Sequence, residues 1–596
     1  MDLAASLYEI LCTPVAIFLD VEDYTTNQES RCDEEVNHSL RCADPASAHI
    51  DDLWTVDGCT GGIQLFAAPN FLERLVPLRV DVFIPDQHQQ SFNIRKSLQS
   101  SSLCNIEGRA TAAHPLVRHV VQGLSHWIEG NEDVRQNIAN LPFGSQIIVS
   151  TITVDPAEMP ISLSPDYELE WQMLPLKALE KTWNAKSTIN PLPPTIDLED
   201  LDLIRQMQDS ISLVRLRSKP EDGPLIFKSS TDCFYHLYNE LYTLLAIPSH
   251  PNIIGSPLYI VSKRCQFGGK VGVCGFLLPY YELGSLANNM ELLRKEGDVL
   301  ICSLAEQICK ALLHLQNVAD IYYCDLRPDN ILLTNSKEGL RALLIDFEQR
   351  GNWQTWSPPE VFQMEHLRYL AESESVPEGQ RAIYKSLLKA ANCHVEPAVE
   401  RRRYTFSDSH SNAVWNSMSK RHQQSAMVYS FGKLLWCLFE GVQMVSNFDA
   451  LLHPGPDYGD IIEFPTFRKT LPTMRNLILE CTKGAPEHEG RYPPVVRLGD
   501  KVYPRPSAGG QLDAHADARN VLEGAKRWWQ EEVRQAFDAI VTRTQIQNGG
   551  AASYDSEWSI YSSRPSLAQV LHQIQSFKQM LIDDQSISTT EHFESA

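Results

Sequence analysis

None of the fourteen cysteines forms a C-x-x-C pair, so the chain offers no zinc-binding spacing. The dispersed thiols (Cys12, Cys32, Cys42, Cys59, Cys104 and onwards) are expected to be reduced core residues of an intracellular protein. No apolar run approaches the roughly 18 residues that a membrane span needs. Met1 to Asp20 lacks a basic n-region and carries Asp2 and Glu9, which argues against a signal peptide. Basic residues are in deficit, 52 against 75 acidic ones, for a net charge of −23. Phosphate backbones and anionic lipids repel such a chain, so no nucleic acid and no membrane is expected as its main partner. A basic peptide would suit this field, and so would solubility alone. No heptad repeat specifies a coiled coil, and the oligomeric state stays open. The expected location is the cytoplasm, with the nucleus as the alternative.

What the chain does have is a globular composition, 43% hydrophobic and 21% charged, over 596 residues. Single cores stop growing near roughly 250–300 residues, so more than one is expected. Residues 1–185 form one block of small α+β character with no chemical motif. There Leu78, Val80, Val82 and Ile84 alternate as in a strand, and Gln146 to Val154 is a second strand candidate. Leu116, Val120, Leu124 and Trp127 recur at helical spacing between them. Gly58, Gly61 and Gly62 are too loosely placed for a phosphate loop. A Pro-rich linker at 186–197 follows, centred on Asn190-Pro191-Leu192-Pro193-Pro194.

Beyond the linker, Pro224 to Lys228 predicts a short strand. Phe234, Leu237, Leu241, Leu244 and Leu245 predict a helix with Glu240 at its edge. Ile301, Leu304, Ile308, Leu312 and Leu315 mark a long amphipathic helix, and Ile331–Leu333 with Ala342–Ile345 a hairpin turning at Lys337-Glu338-Gly339. Two stretches, about 363–424 and 487–562, are expected as insertions. The first holds Arg401-Arg402-Arg403, a solvated surface. In the second, Leu522, Ala525, Trp529, Val533, Ala536 and Ile540 share a helix face. Residues 581–596 are expected to be a disordered tail.

Phosphoryl transfer requires a cation on the inner phosphates, a carboxylate to hold it, oxygen ligands for Mg²⁺ and a carboxylate near the attacking hydroxyl. Tyr323-Cys324-Asp325-Leu326-Arg327-Pro328-Asp329-Asn330 resembles the catalytic loop H-R-D-L-K-P-x-N of the eukaryotic-type protein kinases. Sixteen residues after Asn330, Asp346-Phe347-Glu348 resembles D-F-G. Lys228 ends Leu225-Ile226-Phe227 as the lysine ends V-A-I-K, and Glu240 follows twelve residues later. His250-Pro251-Asn252-Ile253 is similar to the turn after that helix. Phe276 to Leu286 resembles the hinge segment before G-S-L. Ser357-Pro358-Pro359-Glu360 resembles A-P-E, Val428 to Gly432 the central helix of the large lobe, and Arg564-Pro565-Ser566 the late R-P-[ST]. The match is closest in style to the divergent kinase-like proteins abundant in filamentous fungi.

The resemblance implies a bilobal protein-kinase-like fold at 198–580, small lobe about 198–280 and large lobe about 281–580, with the additional small N-terminal α+β region. It implies ATP and Mg²⁺ as cofactors and a protein substrate of unknown identity. Asp325 would be the base, Arg327 the cation beside the transferring phosphate, and Lys228 the phosphate-binding lysine held by Glu240. Asn330 and Asp346 would hold the metal. Leu278, Pro279, Tyr280 and Tyr281 would meet the adenine, and Glu360 would pair with Arg564.

Several positions depart from the family. Met207 to Val214 stands where G-x-G-x-x-G would be, and Asp209 within it would repel phosphate. Cys324 in place of the arginine removes the pocket for a phosphorylated loop, so loop phosphorylation is not expected as the switch. Glu348 for glycine, and Met427 for a bracing Asp, predict a less firmly held catalytic loop. The leading expectation is therefore a Ser/Thr protein kinase. The alternatives are a catalytically weak or inactive pseudokinase serving as a binding scaffold, and a small-molecule kinase.

Overall fold

Of the expected alternation, Leu78 and Val80 lie outside the described residues, and Val82 lies at the centre of a five-stranded sheet. Its strands lie in chain order: β1 (Trp54–Thr60), β2 (Gln64–Pro69), β3 (Asp81–Phe83), β4 (Gln146–Val149) and β5 (Ile161–Ser164). β3 and β4 run parallel, which requires a crossover, and the helix Pro115–Glu129 lies between them in the chain. Leu116, Val120 and Leu124 from that helix pack with Val82 and Ile147 in one core, and Trp127 is partly buried against it. The computed structural model describes residues 114–184, 191–230, 233–266, 268–349, 356–393, 413–443, 463–498, 501–505, 518–547 and 563–594, with 11, 13–18 and parts of 53–84. The expectations for Arg401–Arg403, Gly61, Gly62, Cys12, Cys32, Cys42 and Cys104 lie outside the described residues.

A second sheet has six strands: β6 (Thr195–Asp197), β7 (Leu201–Gln208), β8 (Ile211–Leu216), β9 (Leu225–Lys228), β10 (Tyr259–Arg264) and β11 (Val271–Pro279). Their lateral order is β6-β10-β11-β9-β8-β7. β6 falls inside the stretch expected as a linker. It pairs in parallel with the outer edge of β10, because an unpaired edge needs partners for its amides and Thr195-Ile196 suits a strand. The expected boundary near 185 is displaced as well. Leu169, Leu179 and Trp183, on the helices Glu168–Gln172 and Leu176–Asn184, and Met173 just after the first helix are buried in the core of this second sheet. Fully buried Glu170 accepts hydrogen bonds from the amides of Phe143 (3.0 Å) and Gln266 (2.6 Å) and from the Lys263 ammonium. The opposite edge, β7, is met by the first sheet. The amide of Leu203 donates to the Leu75 carbonyl at 2.7 Å, and that of Gln206 to Asp57 Oδ2 at 2.8 Å.

The six-stranded sheet shares one continuous core with a helical assembly. That assembly comprises the helices Leu286–Glu296, Asp298–His314, Lys420–Glu440, Pro472–Cys481 and Leu567–Glu594 and the hairpin β12 (Ile331–Ser336)–β13 (Gly339–Leu344). Most of the Lys420–Glu440 helix is buried, including Val428 to Gly432. The last helix continues through Glu594, where a disordered tail was expected, since no proline or glycine interrupts 567–594. Leu567, Val570, Ile574 and Phe577 anchor it in the core.

A third core unites parts that the sequence presents as separate. Leu367 and Leu370 of the helix Pro359–Glu372, Leu388 of Glu378–Ala390, and Val533, Ala536 and Ile540 of Ala518–Gln547 pack with Val15 of the 3₁₀ turn Pro14–Phe18. The stripe Leu522, Ala525, Trp529, Val533, Ala536 and Ile540 is buried throughout, as its spacing predicts. The first expected insertion has no break at its start, because the helix Pro359–Glu372 runs through residue 363. Trp529 Nε1 donates to the Leu11 carbonyl at 2.7 Å. No helix among the described residues is long and apolar enough to cross a membrane.

Candidate active site

Lys228 closes β9, and Glu240 rides on the helix Phe234–Ala246, whose apolar residues Leu237, Leu241, Leu244 and Leu245 are buried. That burial turns Glu240 inward as well: it is 1% exposed, and its Oε2 lies 2.7 Å from Lys228 Nζ. β9 can lie close to β11 because of Gly275, where a Cβ would sit 2.4 Å from the Lys228 carbonyl and from the Phe227 ring. Leu278 and Pro279 finish β11 opposite Ile226 and Leu225, and Tyr280 and Tyr281 follow it.

Asp346 arrives from the far side of the chain, just after β13, and its Oδ1 is 3.0 Å from Lys228 Nζ. Glu348 Oε1 is a third carboxylate oxygen on the same lysine, at 3.4 Å. One cation therefore faces three acids. Burial opposes the charged amine, but Asp346, Glu240 and Glu348 together lift the Lys228 pKa well above its usual value. Burial, with Asp346 and Glu348 adding to it and Lys228 only partly offsetting it, pushes the Glu240 carboxyl up. Burial acts the same way on Asp346, yet Lys228 and Arg327 keep that carboxyl below its usual range.

The second half of the site is the loop before β12. Asn330, at the end of the 3₁₀ turn Pro328–Asn330, donates its amide to the Asp325 carbonyl (2.9 Å) and to Asp325 Oδ2 (3.0 Å). Asp325 Oδ1 is buried without a hydrogen-bond partner, and Arg327 Nε stands 3.6 Å from it. Burial, partly offset by Arg327, raises the Asp325 carboxyl to about 6. The two halves are joined by main chain: the Ile345 amide donates to the Asn330 carbonyl at 3.0 Å.

The loop is held more firmly than its departures from the family suggest. The Tyr323 hydroxyl donates to the Ile345 carbonyl at 2.6 Å and lies 3.1 Å from that of Asp346. Its ring meets Phe347 edge-on, and the Phe347 amide donates to Glu240 Oε1 at 3.1 Å. Gln349 Oε1 accepts the Cys324 amide at 3.0 Å, and the Cys324 side chain is buried in the third core. Met427 is buried among apolar residues and gives the loop no polar brace. Asp346 and Gln349 have left-handed backbones, φ 61° and 56°, a conformation that costs on the order of 1–3 kcal/mol for a side-chain-bearing residue and gathers at functional sites. Sequence reasoning counted Glu348 only as a loss and gave Tyr323 no role. The signal available was that both are polar residues beside matched ones, chemically able to make contacts of their own.

The expected late pair is formed. Arg564 Nη1 and Nη2 reach Glu360 Oε1 and Oε2 at 2.5 and 3.1 Å, both side chains fully buried. Oxygens of Glu240, Asp346 and Glu348 lie within 4.8 Å of one another around the Lys228 ammonium, and carboxylate oxygens are the ligand type that a hard cation takes. No family model matches the chain, and no curated protein matches it significantly.

Proposed function

We propose that this chain is a Ser/Thr-type protein kinase using Mg·ATP, its six-stranded sheet and helical assembly being the two lobes of a protein-kinase-like fold. The observation that carries the reading is convergence. Lys228 and Glu240, twelve residues apart, meet Asp346 from 118 residues further on at ion-pair distance, and Asp325 stands by with one carboxylate oxygen that accepts no hydrogen bond. Lys228 would bind the inner phosphates, with Glu240 fixing its position. Magnesium held by the Asp346 carboxylate and the Asn330 amide oxygen would screen the phosphate charge. Asp325 Oδ1 would accept the proton of a substrate hydroxyl, and Arg327 would lend positive charge beside it. The adenine would lie against Leu278 to Tyr281. The substrate is a protein hydroxyl, and the acidic chain suits a basic peptide around it.

The Lys228–Glu348 contact favours a second reading, a pseudokinase whose lysine is satisfied from within and whose surface binds partners. Thermal unfolding with ATP, with and without Mg²⁺, separates the two. A Mg²⁺-dependent rise in Tm that Asp346→Asn abolishes supports the kinase, because only a ligand of the native state stabilises it. No rise at millimolar ATP supports the scaffold. Transfer to a basic peptide by the parent but not by Asp325→Asn completes the test.

A further inference from the structure

The 3₁₀ turn Pro14–Phe18 carries no ionisable side chain and seats on two helices, Pro359–Glu372 and Ala518–Gln547. Leu11, Val15 and Ala16 are buried there. An indole N–H only donates, and that of fully buried Trp529 finds its acceptor in the Leu11 carbonyl at 2.7 Å, which fixes the register of the segment. The longer helix has anchors of its own, since Arg491 Nη1 donates to Glu532 (3.1 Å) and to Gln535 (2.8 Å). Residues 11–18 are thus a layer added to helices that are held by other contacts. A seat made by so few residues opens more readily than the fold around it.

The same core reaches the candidate catalytic loop. Cys324, the neighbour of Asp325, is buried in it, and Tyr322 packs against it. The Cys324 amide also donates to Gln349 Oε1 at 3.0 Å, three residues past Asp346. Whatever presses on Cys324 therefore bears on the backbone that carries Asp325. We propose that residues 11–18 are a positioning segment for the candidate active site: seated, they close the third core behind Cys324 and hold Asp325 in place, and unseated, they release the loop. The catalytic consequence rests on the kinase reading above, whereas the covering of Cys324 does not. Lys228 and Glu240 lie on β9 and the helix Phe234–Ala246, which pack into the core of the six-stranded sheet. Unseating the segment should therefore slow transfer and leave the binding of Mg·ATP as it was.

Three full-length variants test this beside the parent. Val15→Asp puts an unpaired carboxylate into the seat, Trp529→Phe keeps a ring but loses the bond to Leu11, and Val82→Ala loosens the unrelated core of the five-stranded sheet. Melting curves verify that each is folded; if Val15→Asp is not, Trp529→Phe carries the test. Labelling of Cys324 by iodoacetamide, read by peptide mass spectrometry, reports whether the core behind the loop is closed. Calorimetry with Mg·ATP and phosphorylation of a basic peptide report the two halves of the site. Val15→Asp should label Cys324 at least about tenfold faster and lose kcat by a similar factor, with KM for ATP unchanged. Trp529→Phe should move both readings the same way by about fivefold, and Val82→Ala should move neither. Unchanged labelling in the first two variants would overturn the proposal whatever the activity. Equal labelling in Val82→Ala, or faster labelling with kcat intact in an active protein, would overturn it too. A parent that neither binds Mg·ATP nor transfers phosphate would sink the kinase reading, and labelling alone would then decide whether the segment closes the core behind the loop.

Discussion

Two buried ion pairs in this chain look alike in isolation and differ in their charge count. Glu360 and Arg564 meet one to one, fork to fork, with the guanidinium also bonded to the Lys483 carbonyl at 3.0 Å and lying over the Tyr429 ring. All three guanidinium nitrogens have fixed protein partners, and the pair is a structural rivet. Glu240 and Lys228 are as deeply buried, but two further acids crowd the same cation. That region carries surplus negative charge, and on the proposed reading a ligand's phosphates and metal would compete with its acids. A saturated pair holds the fold; an oversubscribed one is prepared for exchange.

Removing half of each pair should separate them most clearly. Arg564→Leu leaves Glu360 buried and uncompensated, and urea unfolding should show a loss of about 3–5 kcal/mol. Ligand binding per folded molecule should not change. Lys228→Met should cost about 2 kcal/mol or less, because Glu240, already pushed up, can take a proton and stay neutral. Its Mg·ATP thermal shift, in contrast, should vanish. If Lys228→Met proved the more destabilising, the division between rivet and exchange site would fail.

A buried base sharpens the comparison from the other side. His366 is buried against Phe362 and Trp529, neither ring nitrogen has a hydrogen-bond partner, and burial pushes its pKa down to about 3. Above the unfolded value of 6.5 the ring is neutral in both states and adds no pH dependence. Below it the unfolded chain takes up a proton that the folded chain refuses, so stability falls as pH falls, down to about 3. From pH 6.5 to 5 the loss should be about 2 kcal/mol, and His366→Leu should flatten that slope in urea unfolding across pH. If Asp325 is the base proposed above, its carboxyl, raised to about 6, predicts that peptide phosphorylation rises through that pH as it ionises. Tyr323→Phe should have the smallest effect, about 1 kcal/mol of stability and a weakened Mg²⁺ dependence of ATP binding, since only a hydroxyl is lost.

The site was legible because its residues sit in short stretches of fixed spacing. Lys228, Glu240, Asp325, Asn330 and Asp346 are each flanked by local landmarks, and Glu360 with Arg564 could be paired across 204 residues only through the family resemblance. What escaped was decided at long range. β6 was hidden in a proline-rich stretch because its three residues become a strand only against β10. The segment from Leu169 to Trp183 belongs to the second core for reasons of shape that composition does not show. A helix was expected only in the second apparent insertion, and nothing local says that the two stretches pack together and over Cys324. Glu348 was read as a missing glycine, since its lysine lies 120 residues away in the chain.

The bond from Trp529 to the carbonyl of Leu11 joins residues 518 positions apart. On a ribosome adding roughly 5–20 residues per second, that is on the order of 25–100 s between the birth of the two partners. For that interval Leu11 and Val15 leave the exit tunnel with no final seat, while the six-stranded sheet can already assemble behind them. The third core is therefore a proof of completeness: a nascent chain stopped before residue 518 carries a loose apolar end, the kind of surface that holdase chaperones and proteases recognise.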